Sequence, residues 1–373
     1  MAALTLGARA SILLVDRQTP SRAGSTPKLC GGLLTSVAQR LLPQPPPEEI
    51  RASPWRTRLE FHDLNRRRIW AYDVDYANCH RGKLDRWLLD EALAACGEPT
   101  FEQGARVVGL RVHDSSWMVR LLHHPGGQQE EVRARFVIDA TGWRQVSRRL
   151  LGIALAPRLN AFQATGAVRG NPHGNFIAVF DSRQTPFYCW WIPKGETAEL
   201  GAAFPPEKRR RSGAEFLAPF SAYLARRGIE FEEVAEIRGC PLTYISRRDH
   251  IWTGRGGLLV AGEAAGLVSP SSGDGISYAL ASGKASAETI LSAVSGRVRK
   301  TTIETTTGCD ARPATAGEDS LQTEYRRRLR PHLKELHFNI RKARWLAHPR
   351  ARGRLSWLLA LARNRHPRRL PFL

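Results

Sequence analysis

The stretch Gly257-Leu-Leu-Val-Ala-Gly-Glu-Ala-Ala-Gly-Leu-Val-Ser-Pro-Ser-Ser-Gly-Asp-Gly-Ile276 decides how this chain is read. Its apolar opening, Gly257 to Ala261, is too short for a helix and is bounded by glycines, so it reads as a buried strand. The strand ends in Gly262-Glu263. A small-residue turn and Pro270 follow, and Gly273-Asp274-Gly275 opens a helix of mostly small residues predicted over Gly275 to Ala293. Glycines allow a close backbone approach to a ligand, and a helix start presents bare N–H groups with a partial positive charge. A corner packed only for shape has the same outline, so the stretch needs support from elsewhere in the chain.

Two further segments give that support. Ser11 to Val15 is a short apolar run ending in Asp16, the pattern of a buried parallel strand. In dinucleotide folds an acid at that point accepts hydrogen bonds from ribose hydroxyls, although many strands end in Asp simply as a turn former. Arg135-Phe-Val-Ile-Asp-Ala-Thr-Gly142 continues a predicted strand, Val132 to Ile138, into a glycine turn and a basic helix start at Arg148-Arg149. Ala105 to Val112 and Ser116 to His123 read as a hairpin preceding it. Arg81 to Leu89 begins a helix, with Leu84, Trp87, Leu88 and Ala92 at helical spacing.

The stretch Gly257 to Ile276 resembles the GDAAGxxxPxxGxGI element of geranylgeranyl-reductase-like flavoproteins, with Glu263 for the usual Asp. The Gly142 turn is similar to their GADGxxSxxRR motif, with Thr141 for Asp and Gln145 for Ser. Lys28-Leu-Cys-Gly-Gly32 resembles their KPCGG segment, with Leu29 for Pro. His80-Arg-Gly-Lys-Leu-Asp85 resembles a helix start that carries over Arg81 and Asp85. Tyr188-Cys-Trp-Trp-Ile-Pro-Lys194 resembles YxWxFPK. The spacing and the Glu form look closest to a short bacterial branch of the group.

This resemblance implies an α/β fold: an FAD-binding, Rossmann-like domain of the glutathione-reductase type interleaved with a β-rich substrate domain and followed by a C-terminal helical segment. It implies FAD as cofactor, held by Asp16, Arg17, Cys30, Gly31, Gly32, Arg81, Thr141, Gly142, Arg148, Gly262, Glu263, Gly266, Pro270, Gly273, Gly275 and Ile276. Tyr188, Trp190 and Pro193 are expected at a substrate cavity. Cys30 is the candidate for a thiol that assists redox or proton transfer, against the plainer role of a small residue packed beside two glycines. The implied reaction is reduction of carbon–carbon double bonds in an isoprenoid-like or other lipophilic substrate. NAD(P)H or another reduced carrier would supply electrons. A flavin monooxygenase or halogenase on the same fold is the alternative, because Tyr188 to Pro193 approaches the halogenase WxWxIP pattern.

The sequence has no GxGxxG loop between a first strand and helix, the element whose N–H groups cradle a pyrophosphate. Met1 to Ala10 resembles the last turns of that helix, so ~20 residues of a βαβ unit of ~30 are wanting. Losing two or three contacts of ~1.5–3 kcal/mol each would weaken FAD on the order of a thousandfold. It would also leave the strands on either side with bare edges. The expectation is a start upstream of Met1, or else a degraded copy acting as a flavin-free, surface-binding protein.

Composition agrees with a large folded chain of 373 residues, 42% hydrophobic. The reading assigns 1–60, 81–153 and 249–295 to the FAD domain and 61–80 and 154–248 to the substrate sheet. It gives 296–320 to a flexible loop and 321–373 to a basic helical region, with a kink or split expected at Pro331. The six cysteines are scattered without CxxC or Cys/His spacing, so neither a disulfide frame nor a metal is expected. The net charge of +21 is Arg-rich and comes without zinc-finger, RRM or zipper signals, so no nucleic-acid partner is expected. Trp345 and Trp357 interleaved with leucines and arginines suit either a capping helix or an interfacial one. The expected location is the cytoplasm, with peripheral contact at the inner membrane face.

Overall fold

The computed structural model describes residues 1–18, 29–97, 100–169, 174–206, 212–296, 320–352 and 354. Its largest element is an eight-stranded mixed sheet. The strands Glu230–Thr243, Arg158–Arg169, Thr197–Phe204, Cys189–Lys194, Phe176–Phe180, Arg51–Asp63, Arg68–Cys79 and Leu33–Leu34 stand side by side in that order. The period of two sorts their side chains. Cys189 and Trp191 pack with Phe216 and Phe220 of the helix Gly213–Ala225. Tyr188, Trp190 and Ile192 face the opposite way, with Phe61, Phe176 and Phe180. Gly201 is required where it stands: a Cβ there would lie 2.2 Å from the Trp190 ring, which rests across the neighbouring strand. The helix Gly213–Ala225 opens with a capping box, in which Glu215 N–H donates to Ser212 and Ser212 N–H donates to Glu215.

Outside the large sheet, whose strands Phe176–Phe180 and Arg51–Asp63 run parallel, the parallel strands form two ladders among the described residues. Leu13–Asp16 pairs with Thr100–Gln103, and Val137–Asp139 pairs with Leu258–Val260. Leu13–Asp16 and Val137–Asp139 are not bonded to each other, as the sequence leads one to expect. Between them in the chain lies an antiparallel meander of Ala105–His113, Ser116–His123 and Gln129–Ala134. The single run predicted over Val132 to Ile138 is therefore two strands. It breaks at Arg135-Phe136 because its first half belongs to the meander and its second to the parallel ladder.

The helix Ile276–Val294 lies at the centre, and its small residues allow packing on several sides. Ala281, Ser282, Ala285, Ser286 and Ala287 are buried against the helices Ala2–Leu6 and Ser320–Ala347. The latter runs unbroken through Pro331, so the expected split does not occur. Its apolar stripe of Leu321, Tyr325, Leu329, Leu336 and Ile340 is buried in the main core. Tyr325 OH donates to Val260 O at 2.9 Å, and Gln322 Nε2 donates to Leu258 O at 2.9 Å. The long helix thus satisfies carbonyls of the strand that opens the deciding stretch.

Two boundaries move. The strand Arg51–Asp63 lies wholly in the large sheet, so the limit drawn at residue 60 cuts through it; its register partners are Arg68–Cys79 and Phe176–Phe180. The sequence from Leu33 to Leu42 reads as helix-like, and the helix itself is Ser36–Leu41, because Leu33–Leu34 pairs with Ala77 and Asn78 as an edge strand. Most of the loop at 296–320, including Cys309, and all beyond 354 lie outside the described residues.

The far end of the long helix is tied to the large sheet by a buried ion pair. Arg352 donates to Asp63 Oδ2 at 2.7 Å and Oδ1 at 2.9 Å, and to Leu346 O at 3.0 Å; its guanidinium lies 5.1 Å from the Phe180 ring centroid. Both side chains are almost fully buried. Arg352→Met would strand the Asp63 carboxylate, and the expected loss in urea unfolding is about 3–5 kcal/mol. Adding Asp63→Asn to that variant should restore part of it.

Candidate functional site

One cavity of about 2670 Å³ is bounded by strands of the large sheet, of the parallel ladders and of the meander, and by the long helix. Pockets for small molecules typically span roughly 300–1,000 Å³; this larger space also runs between the unbonded strands Leu13–Asp16 and Val137–Asp139. Its wall includes Asp16, Arg17, Cys30, Gly31, Gly32, Arg81, Thr141, Gly142, Gly262, Glu263, Gly273, Gly275 and Ile276, with Tyr188 and Trp190 in an apolar part. Segments distant in sequence therefore meet on one surface.

The Gly142 turn is organised by a buried residue, Asp139. Its Oδ1 accepts from Thr141 N at 2.8 Å and from Thr141 Oγ1 at 2.6 Å. Its Oδ2 accepts from Ser147 N at 2.9 Å and from the Ser147 hydroxyl. Thr141 Oγ1 in turn accepts from Val146 N at 3.0 Å. Five bonds thus brace the short helix Val146–Leu150 against the strand end. Thr141 is committed to this brace, which explains how Thr serves where the motif has Asp.

Glu263 faces the same turn. Its Oε1 accepts from Thr243 N at 2.8 Å, and a Cβ on Gly142 would stand 3.5 Å from its Oε2. Gly142 and Gly262 have φ of 65° and 56°, a region only glycine enters without strain. At the helix Ile276–Val294, Gly275 is the N-cap without a side-chain cap bond, and Asp274 accepts from Ser277 N at 3.3 Å and Ser277 Oγ at 2.8 Å. Burial holds the Asp274 carboxyl above its usual range.

The Cys30–Gly32 loop is pinned by Lys194. Its ammonium donates to Gly31 O at 2.7 Å, Asn78 Oδ1 at 2.6 Å and Cys79 O at 2.7 Å. Burial lowers the Lys194 pKa, opposed by Glu199 and the two thiols. Glu199 is itself raised by burial. Arg81 bonds Asp85 at 2.8 Å, and the charges of Arg81 and Lys194 both act on Cys30 at the cavity wall. Gly32, with φ of 63°, passes within reach of Cys79 O, where a Cβ would clash at 2.1 Å.

Four expected ligands do not reach the wall. Arg148 is buried, and its guanidinium donates to Ala154 O at 2.8 Å and His250 O at 2.6 Å, joining the Gly142 turn to the segment before the deciding strand. Gly266 serves as a left-handed helix C-cap against His250 O, and Pro270 lies within the turn. Pro193 is absent from the wall, whereas its neighbour Ile192 is on it; Pro193 O accepts from Asn78 Nδ2 at 2.8 Å. In the other direction, Asp139, Asn78 and Lys194 matter more than the sequence reading allowed. Asp139 and Lys194 stood inside quoted motifs, and Asn78 gave no signal.

Lys194→Met should lower thermal stability, since each acceptor left bare costs roughly 1–3 kcal/mol, offset in part by the ammonium no longer being buried. The freed loop should make Cys30 alkylate faster, read by mass spectrometry at the Cys30 peptide.

Comparisons with known proteins place this geometry. The FAD binding domain family model matches residues 36–316. Protein CbrA of Escherichia coli O157:H7 is 24% identical over 278 residues, 74% of this chain and 76% of that one. A geranylgeranyl bacteriochlorophyll reductase-like protein from Thermoplasma acidophilum superposes with a TM-score of 0.75 at 18% identity, covering 93% of this chain and 84% of the other. The myxobacterial FAD-dependent halogenase CndH gives 0.60 at 16% identity, covering 90% and 78%. The positive-φ glycines, the acid at the strand end and the helix start with a glycine N-cap on one wall fit FAD. The chain belongs to the FAD-binding domain family, with FAD as its cofactor, and is a flavin-dependent oxidoreductase.

Proposed function

We propose that the protein reduces carbon–carbon double bonds of an isoprenoid-like or other lipophilic substrate, with NAD(P)H or another reduced carrier as electron donor. The observation that carries this reading is the apolar part of the cavity. Leu59, Phe61, Phe176, Phe180, Tyr188 and Ile192 line it next to the Gly273–Ile276 corner. Burying an alkyl chain against such a wall contributes about 0.8 kcal/mol for each CH₂ removed from water.

FAD supplies two-electron chemistry when bound. The chain's own residues would hold and orient it: Asp16 at the ribose, Thr141 and Gly142 at the turn, Glu263 at the hydroxylated chain, and the helix start at Gly275 at the ring edge. Tyr188 is fixed by donating its hydroxyl to Ser272 O, which ties the aromatic wall to the same corner. Phe187 stacks on Tyr188 with centroids 4.5 Å apart, closing that side to water.

A monooxygenase or halogenase is the second reading. It is favoured by the Tyr188–Pro193 pattern and by the fold shared with CndH. The deciding experiment incubates purified, FAD-loaded protein with lipophilic alkenes and a reductant, with and without oxygen. Anaerobic gain of two hydrogens per double bond supports the proposal; oxygen-dependent hydroxylation or halogenation with no anaerobic product sinks it. Phe61→Ala and Phe180→Ala should each raise KM for the alkene by roughly 10–200-fold, the range expected for lost apolar contact in a pocket.

The basic C-terminal region is proposed to touch the inner membrane surface. The support is compositional, because residues beyond 354 lie outside the described ones, and no helix among the described residues is long and apolar enough to cross a membrane. Co-sedimentation with anionic but not neutral liposomes is the expected result. Absence from both pellets ends that part of the proposal.

A further inference from the structure

Beside the large cavity lies a second one of about 40 Å³. A water needs ~10–15 Å³ by a comparable measure and two to four polar partners, so the chamber has room for at least one. Its wall is polar apart from Val37, and Thr35, Ser272, Asp274 and Lys342 belong to the walls of both cavities. The chamber is therefore separated from the reaction space by single side chains.

Two hydrogen-bonded chains run through this wall. Thr35 Oγ1 meets Ser277 Oγ at 2.7 Å, and Ser277 Oγ donates to Asp274 at 2.8 Å. Ser271 Oγ donates to Asn339 Oδ1 at 3.3 Å, Asn339 Nδ2 donates to Tyr278 OH at 3.3 Å, and Tyr278 bonds Glu335. Glu335, Asn339, Lys342 and Leu346 share one face of the long helix by their spacing. Glu335 is partly open to solvent, Lys342 is buried, and Leu346 lies in the apolar cluster with Phe180 and Tyr188. That face thus leads from outside, through the chamber, to the substrate wall.

We propose that the chamber is a proton-delivery site and that Lys342 presents the proton to the substrate; this rests on the alkene-reductase reading above. In the step, the carbon–carbon π bond breaks. One carbon gains a hydride from reduced flavin, which is thereby oxidised. The adjacent carbon gains a proton from the Lys342 ammonium. Neutral Lys342 is then reprotonated through chamber water from Glu335, which exchanges with solvent.

The charged and titratable groups around Lys342 support such traffic near neutral pH. Burial brings Lys342 down to about 8, opposed by Glu335 on its own helix. Burial lifts the Glu335 and Asp274 carboxyls. Tyr278, on the helix packed opposite, is raised by burial and stays neutral, and His332, which faces Tyr278, is lowered by burial. A proton donor works best when its pKa is near the working pH.

The test compares wild type with Lys342→Met and Glu335→Gln. Wild-type alkene reduction should fall as pH rises through about 8. Lys342→Met should lose about 10²–10⁴-fold in kcat with KM little changed and no alkaline limb. Glu335→Gln should move that limb to lower pH. Reduction of the bound flavin by the electron donor, followed by bleaching, should be unchanged in both variants.

A second readout needs no cofactor. Lys342 has a folded pKa below its unfolded value, so the unfolded chain binds more protons between about pH 8 and the ordinary lysine range near 10.5. Apo wild-type stability should gain a rising contribution across that window, which Lys342→Met removes while being more stable at pH 7. A Lys342→Met enzyme that keeps its rate and alkaline limb overturns the proposal. If wild type reduces no alkene, the reading of the previous subsection falls by itself. The chamber then stands or falls on the apo titration: absence of the rise, or its persistence in Lys342→Met, overturns it.

Discussion

A single buried ammonium holds the two halves of the site in register. Lys194 ends a central strand of the large sheet, yet its three hydrogen bonds reach the carbonyl of Gly31, the amide of Asn78 and the carbonyl of Cys79. Those acceptors belong to the cavity loop and to the strand that leads into the helix at Arg81. An ammonium is an expensive group to bury, and it persists here because all three donor positions are filled in good geometry. The position of Cys30 against the aromatic wall follows from that one contact, and so does the mouth of the cavity between the sheet and the helix start.

The dinucleotide half is organised by carboxylates instead. Asp139 braces the Gly142 turn through both oxygens, and Glu263 reaches across to Thr243 in the last strand of the large sheet. These acids act mainly on backbone N–H groups, which makes the turns rigid and leaves the glycine faces open toward the cavity. Rigid turns with open faces are what a large planar cofactor requires, because its hydrogen-bonding partners must be in place before it arrives.

Local motifs made much of this visible in the sequence. The corner from Gly257 to Ile276 has strand, turn and helix in consecutive residues, and its positive-φ positions carry glycine, so its shape was legible without tertiary context. The alternation of Tyr188, Cys189 and Trp190 likewise foretold which side chains face the cavity. Illegible were contacts whose partners are remote. Arg148 looked like a ligand because its motif is usually read as one, but its orientation is set by the carbonyls of Ala154 and His250. Asn78 is an unremarkable residue in a strand, and only the approach of Lys194 from over a hundred positions away gives it weight. The break at Arg135-Phe136 was hidden for a related reason: an apolar run records burial but not which sheet does the burying.

The long helix Ser320–Ala347 contributes Lys342 and Leu346 to a cavity whose other walls are complete by residue 290. During synthesis those two side chains emerge from the ribosome after every other residue of the wall. A nascent chain therefore exposes the aromatic wall around Phe61 and Phe180 to water until the long helix emerges and docks, and that interval is when it is most open to aggregation. The cavity wall is complete only once that helix has docked, which makes it the closing element of the site.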